Sequence, residues 1–278
     1  MEKWLRTKER NYYYPDKTLI MGILNVTPDS FSDGGKYNSP QPAIDQALRM
    51  EAEGADIIDV GGESTRPGYT PVSEEEELAR VIPVIKALSG QVNIPLSIDT
   101  TKANVARAAI EAGASIINDI WGAKKDPEMA KVAADLQVPI ILMHNRNQIP
   151  YQSLMEDILA DVQESIDIAL AAGVKPEQLI IDPGIGFAKT YEENIAVMQQ
   201  MERFRELDLP LLLGVSRKSV IAKTVDLPAD QRDEATGAAV SFGITKGCEI
   251  VRVHNVKLHA RMIRMLDKLM NKGRDAHG

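Results

Sequence analysis

The chain of 278 residues holds a single cysteine, Cys248, and four histidines. One thiol excludes an internal disulfide, and with no secretory leader in the opening MEKWLRTKER it points to a reducing cytoplasm. The same scarcity leaves too few Cys and His side chains for a structural zinc cluster. No stretch approaches the roughly 18 uninterrupted apolar residues that span a bilayer, so membrane insertion is not expected. Positive charge is also short: 32 Lys and Arg stand against 40 Asp and Glu, a net charge of -8. A phosphate backbone is held by clustered cations, so a non-specific nucleic-acid binder is not expected, and any anionic ligand must be met by a local basic group.

What is present is ample apolar and charged material, 44% and 26% of residues, enough for a large core under a soluble surface. The length falls within the roughly 200 to 400 residues of one closed α/β barrel, although length alone leaves two ordinary domains open. Short apolar, β-branched runs alternate with longer amphipathic segments, the pattern of repeated βα units around a parallel sheet. Eight strand candidates result: Thr18 to Leu24, Ile57 to Val60, Leu96 to Ile98, Ile116 to Ile117, Ile140 to Met143, Leu179 to Ile181, Leu211 to Leu213 and Ile250 to Val253. Helical segments lie between them at 40–53, 73–88, 102–112, 127–136, 154–172, 192–205 and 235–246, with a last one at 257–272.

Three junctions repeat one arrangement, with Gly54, Gly113 and Gly247 each where a helix ends and a strand is about to begin. Glycine there supplies the left-handed conformation that closes a helix. Ser73 before four glutamates reads as an N-cap followed by an acidic first turn. Residues 1–17 are expected to cap the N-terminal end of the barrel, 18–272 to form it, and 273–278 to be a flexible tail. A doubly wound open sheet would share the alternation, but the turn after the first strand, Asn25 to Ser30, has no glycine. Gly184-Ile185-Gly186 is followed three positions on by Lys189, which breaks the dinucleotide fingerprint. The expected fold is therefore a single (β/α)8 TIM barrel, with its site at the C-terminal ends of the strands.

Those ends carry Asn25, Asp59 with Glu63, Asp99, Asn118 with Asp119, His144 with Asn145, Asp182, the run Ser216 to Ser219, and Arg252 with His254. Asp59, Asp119 and Asn145 are read as loop anchors or caps, and His144 as a packed or hydrogen-bonded loop histidine. Arg252 and His254 lie two apart, on one face of a strand. If the barrel closes, Asp99, Asn118, Asp182 and Lys218 converge. A carboxylate accepts two adjacent N–H donors and an amide supplies one donor and one acceptor, so the set suits a flat heterocycle with several ring donors and acceptors. Arg66, Arg252 and His254 suit a phosphate group. Two polar loops, 27–35 and 61–68, are candidate lids.

The segment Gly22-Ile23-Leu24-Asn25-Val26-Thr27-Pro28-Asp29-Ser30-Phe31-Ser32-Asp33-Gly34-Gly35 resembles the first signature of the dihydropteroate synthase family, and Asp59-Val60-Gly61-Gly62-Glu63-Ser64-Thr65-Arg66-Pro67-Gly68 its second. Ser97-Ile98-Asp99-Thr100, Ile117-Asn118-Asp119, Asp182-Pro183-Gly184-Ile185-Gly186-Phe187, Gly214-Val215-Ser216-Arg217-Lys218-Ser219 and Arg252-Val253-His254 extend the resemblance in the family's order.

The resemblance implies a transferase of folate biosynthesis. In it para-aminobenzoate displaces pyrophosphate from hydroxymethyl-dihydropterin pyrophosphate, by a dissociative path through a pterin cation. It implies that Asp182, Asn118 and Lys218 pair with the pterin and that Met143, Phe187 and Gly214 wall it. Asn25, Arg66, Arg252 and His254 would hold pyrophosphate, with Asn25 the protein ligand to Mg²⁺ and Asp99 placed to stabilise the cation. Para-aminobenzoate would sit near Thr65, Pro67, Phe187, Lys218 and Ser219, beneath Phe31 and Asp33. Catalytic work would fall to Asp99, Lys218 and Asp33. The resemblance further implies a homodimer and a sulfonamide target, with small molecules as the substrates.

Three other functions remain open on the residues: a methyltransferase barrel using methyl-tetrahydrofolate, a non-catalytic pterin-binding paralogue, and a Schiff-base aldolase on Lys218. The last is disfavoured because the Ser216-Arg217-Lys218 cluster is expected to keep that lysine protonated rather than desolvated.

Overall fold

The computed structural model describes residues 3–27, 40–63, 72–147 and 150–273. Strands β1 (Trp4–Arg6) and β2 (Asn11–Tyr13) pair antiparallel as a short hairpin. The next eight strands are β3 (Leu19–Asn25), β4 (Ile57–Gly61), β5 (Leu96–Asp99), β6 (Ile116–Asp119), β7 (Ile140–Met143), β8 (Leu179–Asp182), β9 (Leu212–Leu213) and β10 (Ile250–Val253). They are parallel, and each neighbours the next in sequence. β10 pairs back onto β3, and a parallel bridge between Ile181 and Leu211 joins β8 to β9, so the ring closes as a (β/α)8 barrel.

The outer layer is α1 (Gln41–Glu53), α2 (Glu74–Leu88), α3 (Ala103–Ala112), α4 (Met129–Leu136), α5 (Leu154–Ala171), α6 (Tyr191–Gln199), α7 (Ser219–Val225), α8 (Asp233–Thr245) and α9 (Val256–Leu269). Ser73 caps α2, its hydroxyl accepting from the Glu76 N–H at 3.2 Å. Gly54, Gly113 and Gly247 all take positive φ, at 107°, 130° and 111°, so the repeated junction is the backbone reversal its glycines allow. Three elements differ from the sequence expectation. The helix expected over 192–205 ends at Gln199 and continues as a 3-10 turn, Met201–Leu207. α7 was not foreseen, nor was the strand character of the hairpin.

Side chains of a strand alternate between faces, and the barrel uses the alternation to build layers. Leu19, Met21, Ile57, Ile116, Ile141, Ile180, Leu212 and Ile250 form one buried cluster inside the barrel. The same cluster takes in Leu5, Tyr12 and Tyr14, so the hairpin closes this end. Tyr12 also donates its hydroxyl to the Asp56 carbonyl at 2.7 Å. The alternate residues, Ile58, Val60, Ile117, Leu142, Ile181 and Val251 among them, pack instead with the helices. The C-terminal turn is tied to the N-terminal segment: Gly273 N–H donates to the Pro15 carbonyl at 3.2 Å and Lys272 Nζ to Thr18 Oγ1 at 2.9 Å. The tail expected from Gly273 thus begins no earlier than residue 274, beyond the described residues.

Candidate active site

Two positions along each strand from the apolar layer, on the same face, stand Asp59 after Ile57, Asn118 after Ile116, Met143 after Ile141, Asp182 after Ile180, Gly214 after Leu212 and Arg252 after Ile250. Period-two alternation therefore aims all six into the C-terminal mouth. Arg252 reaches across from β10 and donates Nε to Asp59 Oδ2 at 2.6 Å and Nη2 to Asp99 Oδ2 at 2.7 Å. Asn118 Nδ2 donates to the same Asp59 oxygen at 3.1 Å. Asp59 is 0% exposed and Asp99 6%.

Buried carboxylate oxygens are costly unless bonded. Asp59 Oδ1 and Asp99 Oδ1 nonetheless have no protein hydrogen-bond partner. Both are acceptors for donors that a ligand or solvent must bring. Burial raises the Asp99 pKa to about 7 against the pull of Arg252, with Asp59 pushing it the same way as burial.

A further carboxylate and cation, Asp182 and Lys218, come together beside Gly214. Asp182 Oδ1 accepts from the Gly184 N–H at 2.7 Å. Lys218 Nζ donates to the Ile185 carbonyl at 2.6 Å and lies 4.6 Å over the Phe187 ring. A Cβ on Gly214 would come within 3.5 Å of Asp182 Oδ2 and 3.8 Å of Lys218 Nζ, so both side chains crowd the space that glycine leaves open. Burial raises the Asp182 pKa, opposed by Lys218, and lowers that of Lys218 to about 8, opposed by Asp182. Met143 lies beside Asp182 in strand register.

Asn25 and Asp99 flank Gly61: a Cβ there would stand 3.8 Å from Asn25 Oδ1 and 3.7 Å from Asp99 Oδ2. His254 Nδ1 lies 2.9 Å from Ser216 Oγ. The run from Ser216 to Ser219 is split by the fold. Arg217, at φ 59°, turns outward and pairs with Asp233 on α8 at 2.7 and 2.8 Å, and Ser219 is exposed at the start of α7. The expected Ser216-Arg217-Lys218 cation cluster does not form, because Arg217 is drawn away to Asp233, while Lys218 stays half-buried at the mouth.

Several strand-end residues anchor loops. Asp119 accepts from the Trp121 and Ala123 N–H groups at 2.9 and 2.7 Å, and Asn145 from the Arg146 N–H at 3.0 Å. His144 is buried against Asp161 and Lys189. Glu63 pairs with Lys102 at 2.5 Å, which also holds Glu77 at 2.6 Å. Phe31, Asp33, Thr65, Arg66 and Pro67 lie outside the described residues. The sequence reading missed two residues that touch the site: Asp59, put aside as a loop anchor, and Lys189. The signal for Asp59 was available, since it follows Ile57 by two on a fully apolar strand.

Among the described residues no group of three His, Cys, Asp or Glu stands together as a metal cage. Mg²⁺ keeps several waters and takes one or two protein oxygens plus substrate phosphates, so it needs no such cage. Asn25 Oδ1, at the mouth beside Asp99, is a side-chain oxygen of the type that such a cation accepts. No helix of the described residues is long and apolar enough to cross a membrane.

The family described as pterin binding enzyme matches residues 21–254. A dihydropteroate synthase of Bacillus subtilis (strain 168) is 57% identical over 274 residues, which cover 99% of this chain and 96% of that protein. Among solved structures, the dihydropteroate synthase from Clostridium difficile in the presence of pteroic acid superimposes with a TM-score of 0.91 at 47% identity, over 93% of this chain and 98% of that one. The Xanthomonas albilineans dihydropteroate synthase with 4-aminobenzoic acid gives 0.92 at 39% identity, over 97% and 99%.

Proposed function

This chain belongs to the pterin binding enzymes and within them to the dihydropteroate synthases of folate biosynthesis, and on that premise we propose how its barrel mouth divides the work. The reaction breaks the bond between the exocyclic carbon of dihydropterin and its pyrophosphate oxygen and forms one from that carbon to the amine of para-aminobenzoate, which gives up a proton.

Asp182 accepts the amino and ring N–H donors of the pterin, one on each oxygen, since Oδ1 keeps a second lone pair beside the Gly184 N–H. Asn118, its amide oriented by Asp59, pairs with neighbouring ring atoms, and Lys218 donates on the carbonyl side. Met143, Phe187 and Gly214 wall the ring. Arg252, with His254, Asn25 and Arg66, holds pyrophosphate. Two of its five N–H donors are fixed on Asp59 and Asp99, so it is pre-oriented for the rest. Asn25 would hold Mg²⁺, which when bound would supply charge neutralisation of the leaving group. Para-aminobenzoate lies near Phe187, Lys218 and Ser219, the family signatures assign Thr65, Pro67, Phe31 and Asp33 to it as well, and a sulfonamide drug competes for the same place.

The observation that carries this reading is the free, buried Oδ1 of Asp99. A carboxylate held in the dry mouth with one oxygen on Arg252 and one open is placed to face a carbon that becomes positive as pyrophosphate leaves. That arrangement supports a dissociative path. The enzyme works in the cytoplasm as a homodimer. Support for pairing comes from the apolar groove between α6, α7 and α8, lined by Ile195, Met198, Val220, Val225, Ala239 and Phe242, which a second copy would cover.

The test is turnover of both substrates with and without Mg²⁺, run over aryl amines of graded nucleophilicity. Dihydropteroate formation should drop more than about a hundredfold on chelation, a loss of the size expected when a major electrostatic contribution is removed. Turnover should also be nearly insensitive to the amine. A steep dependence on the amine would replace the dissociative path with direct displacement, and undiminished turnover in chelator would remove the metal.

A further inference from the structure

Behind the pterin wall runs a polar chain, centred on the buried His144, to which the proposed chemistry assigns no task. Lys189 Nζ, from the turn between β8 and α6, lies 2.9 Å from His144 Nδ1, 3.1 Å from the Gly184 carbonyl and 3.1 Å from the Phe187 carbonyl. An ammonium has three N–H donors, and these are three acceptors. Burial lowers the Lys189 pKa to about 7 against Asp182, so its charge is costly there and the acceptors are what hold it. On the far side His144 Nε2 lies 3.1 Å from Asp161 Oδ2 on α5. With Nδ1 accepting from Lys189, the ring proton sits on Nε2 and points at Asp161. Burial keeps the imidazole neutral, lowering its pKa to about 4.

The backbone locks the same pieces. His144 N–H donates to the Asp182 carbonyl at 2.8 Å. Gly184, at φ 67°, passes so near that a Cβ there would stand 2.0 Å from the His144 carbonyl oxygen. The turn from Pro183 to Lys189 therefore rests on His144 with no side chain between. It also sets the pocket, because its Gly184 N–H bonds Asp182, its Ile185 carbonyl receives Lys218, and its Phe187 ring underlies the Lys218 ammonium.

We propose that Lys189, backed by His144 and Asp161, is a positioning residue for the pterin pocket: by tying the Gly184 and Phe187 carbonyls together it fixes the turn that orients Asp182, Lys218 and Phe187. The proposal rests on the pterin lying against that wall. The pyrophosphate residues Asn25, Arg252 and His254 come from β3, β10 and the end of β10, across the barrel, and are independent of this turn.

Calorimetry on the full-length protein separates the two halves of the site, with 6-hydroxymethyl-7,8-dihydropterin and inorganic pyrophosphate plus Mg²⁺ as the probes. Lys189→Met should weaken the pterin about tenfold, the scale of one lost charge-assisted hydrogen bond, and leave pyrophosphate within about twofold. Lys189→Arg, which keeps charge and donors, should recover most of the loss. Asp161→Asn, at the half-exposed outer end of the chain, should weaken the pterin about two- to threefold by freeing His144. Wild-type protein that binds no pterin would remove the site reading itself, and this inference with it. Wild-type binding with an unchanged Lys189→Met, or equal loss of both probes, overturns the inference alone. Should Lys189→Met not fold, Asp161→Asn decides: an unchanged pterin affinity there overturns it.

Discussion

On β4 the step from Ile57 to Asp59 climbs one layer of the barrel and passes from an apolar cluster to a carboxylate just as thoroughly buried, both 0% exposed. The same step runs from Ile180 to Asp182 on β8 and from Ile250 to Arg252 on β10. At the lower end the hairpin brings Leu5, Tyr12 and Tyr14 to complete an oily plug, where burial and fit suffice. At the upper end three carboxylates, Asp59, Asp99 and Asp182, and an amide are held out of water beside two half-buried cations, at a desolvation cost that stability alone does not explain. A scaffold and a site can thus share strands, separated by two residues of sequence.

The sharpest way to break that contrast is at Asp59. Asp59→Ala removes the acceptor for both Arg252 Nε and Asn118 Nδ2. We expect kcat/KM to fall about a hundred- to a thousandfold, near 3 to 4 kcal/mol of transition-state stabilisation. Steady-state kinetics measure it. A variant within about threefold of wild type would mean that the buried carboxylate is only part of the scaffold.

The sequence made some of this legible and hid the rest for physical reasons. Asp99, Asn118, Asp182, Arg252 and the eight-strand order follow from local signals, namely an apolar run, a polar residue at its end and a glycine before the next strand. The partner of Asp59 is 193 residues away in the chain and becomes a neighbour only when β10 closes onto β3. Arg217 and Lys218 are adjacent and look alike on paper. A positive φ and Asp233, 16 residues on, turn Arg217 onto α8, while Lys218 reaches the Ile185 carbonyl at the mouth. α7, with the sequence SVIAKTV, is rich in β-branched residues that do not favour a helix, and its form is set by packing. Lys189 read as the residue that spoils a fingerprint, because its three acceptors come together only in the folded turn.

The second contrast is in pH, and it is about tenfold per unit outside a narrow window. The Asp99 pKa is raised to about 7, so the ionised form that stabilises the cation is lost as pH falls through that value. Lys218 is lowered to about 8, so its ammonium is lost as pH rises through that value. A profile of kcat/KM should therefore be bell-shaped with its top between these two pH values. At the plug, burial pushes Tyr12 and Tyr14 far above their ordinary value, so both stay neutral across the range. A flat rate from pH 6 to pH 9, about a unit beyond each value, would detach Asp99 and Lys218 from the rate.

The smallest effect belongs to the layer below. Ile57→Val deletes one methyl group from the plug, whose residues touch no proposed ligand. The loss should be about 0.5 to 1.5 kcal/mol of stability, a melting temperature lower by about 1 to 3 °C for a domain of this size. Over the same change kcat/KM should hold within about twofold, because valine keeps the β-branched shape that packs under Asp59. Thermal melts and kinetics on one preparation read both. If activity fell tenfold with so small a loss of stability, the methyl group would be setting the position of Asp59, and the two layers would be one mechanical unit rather than a plug beneath a site.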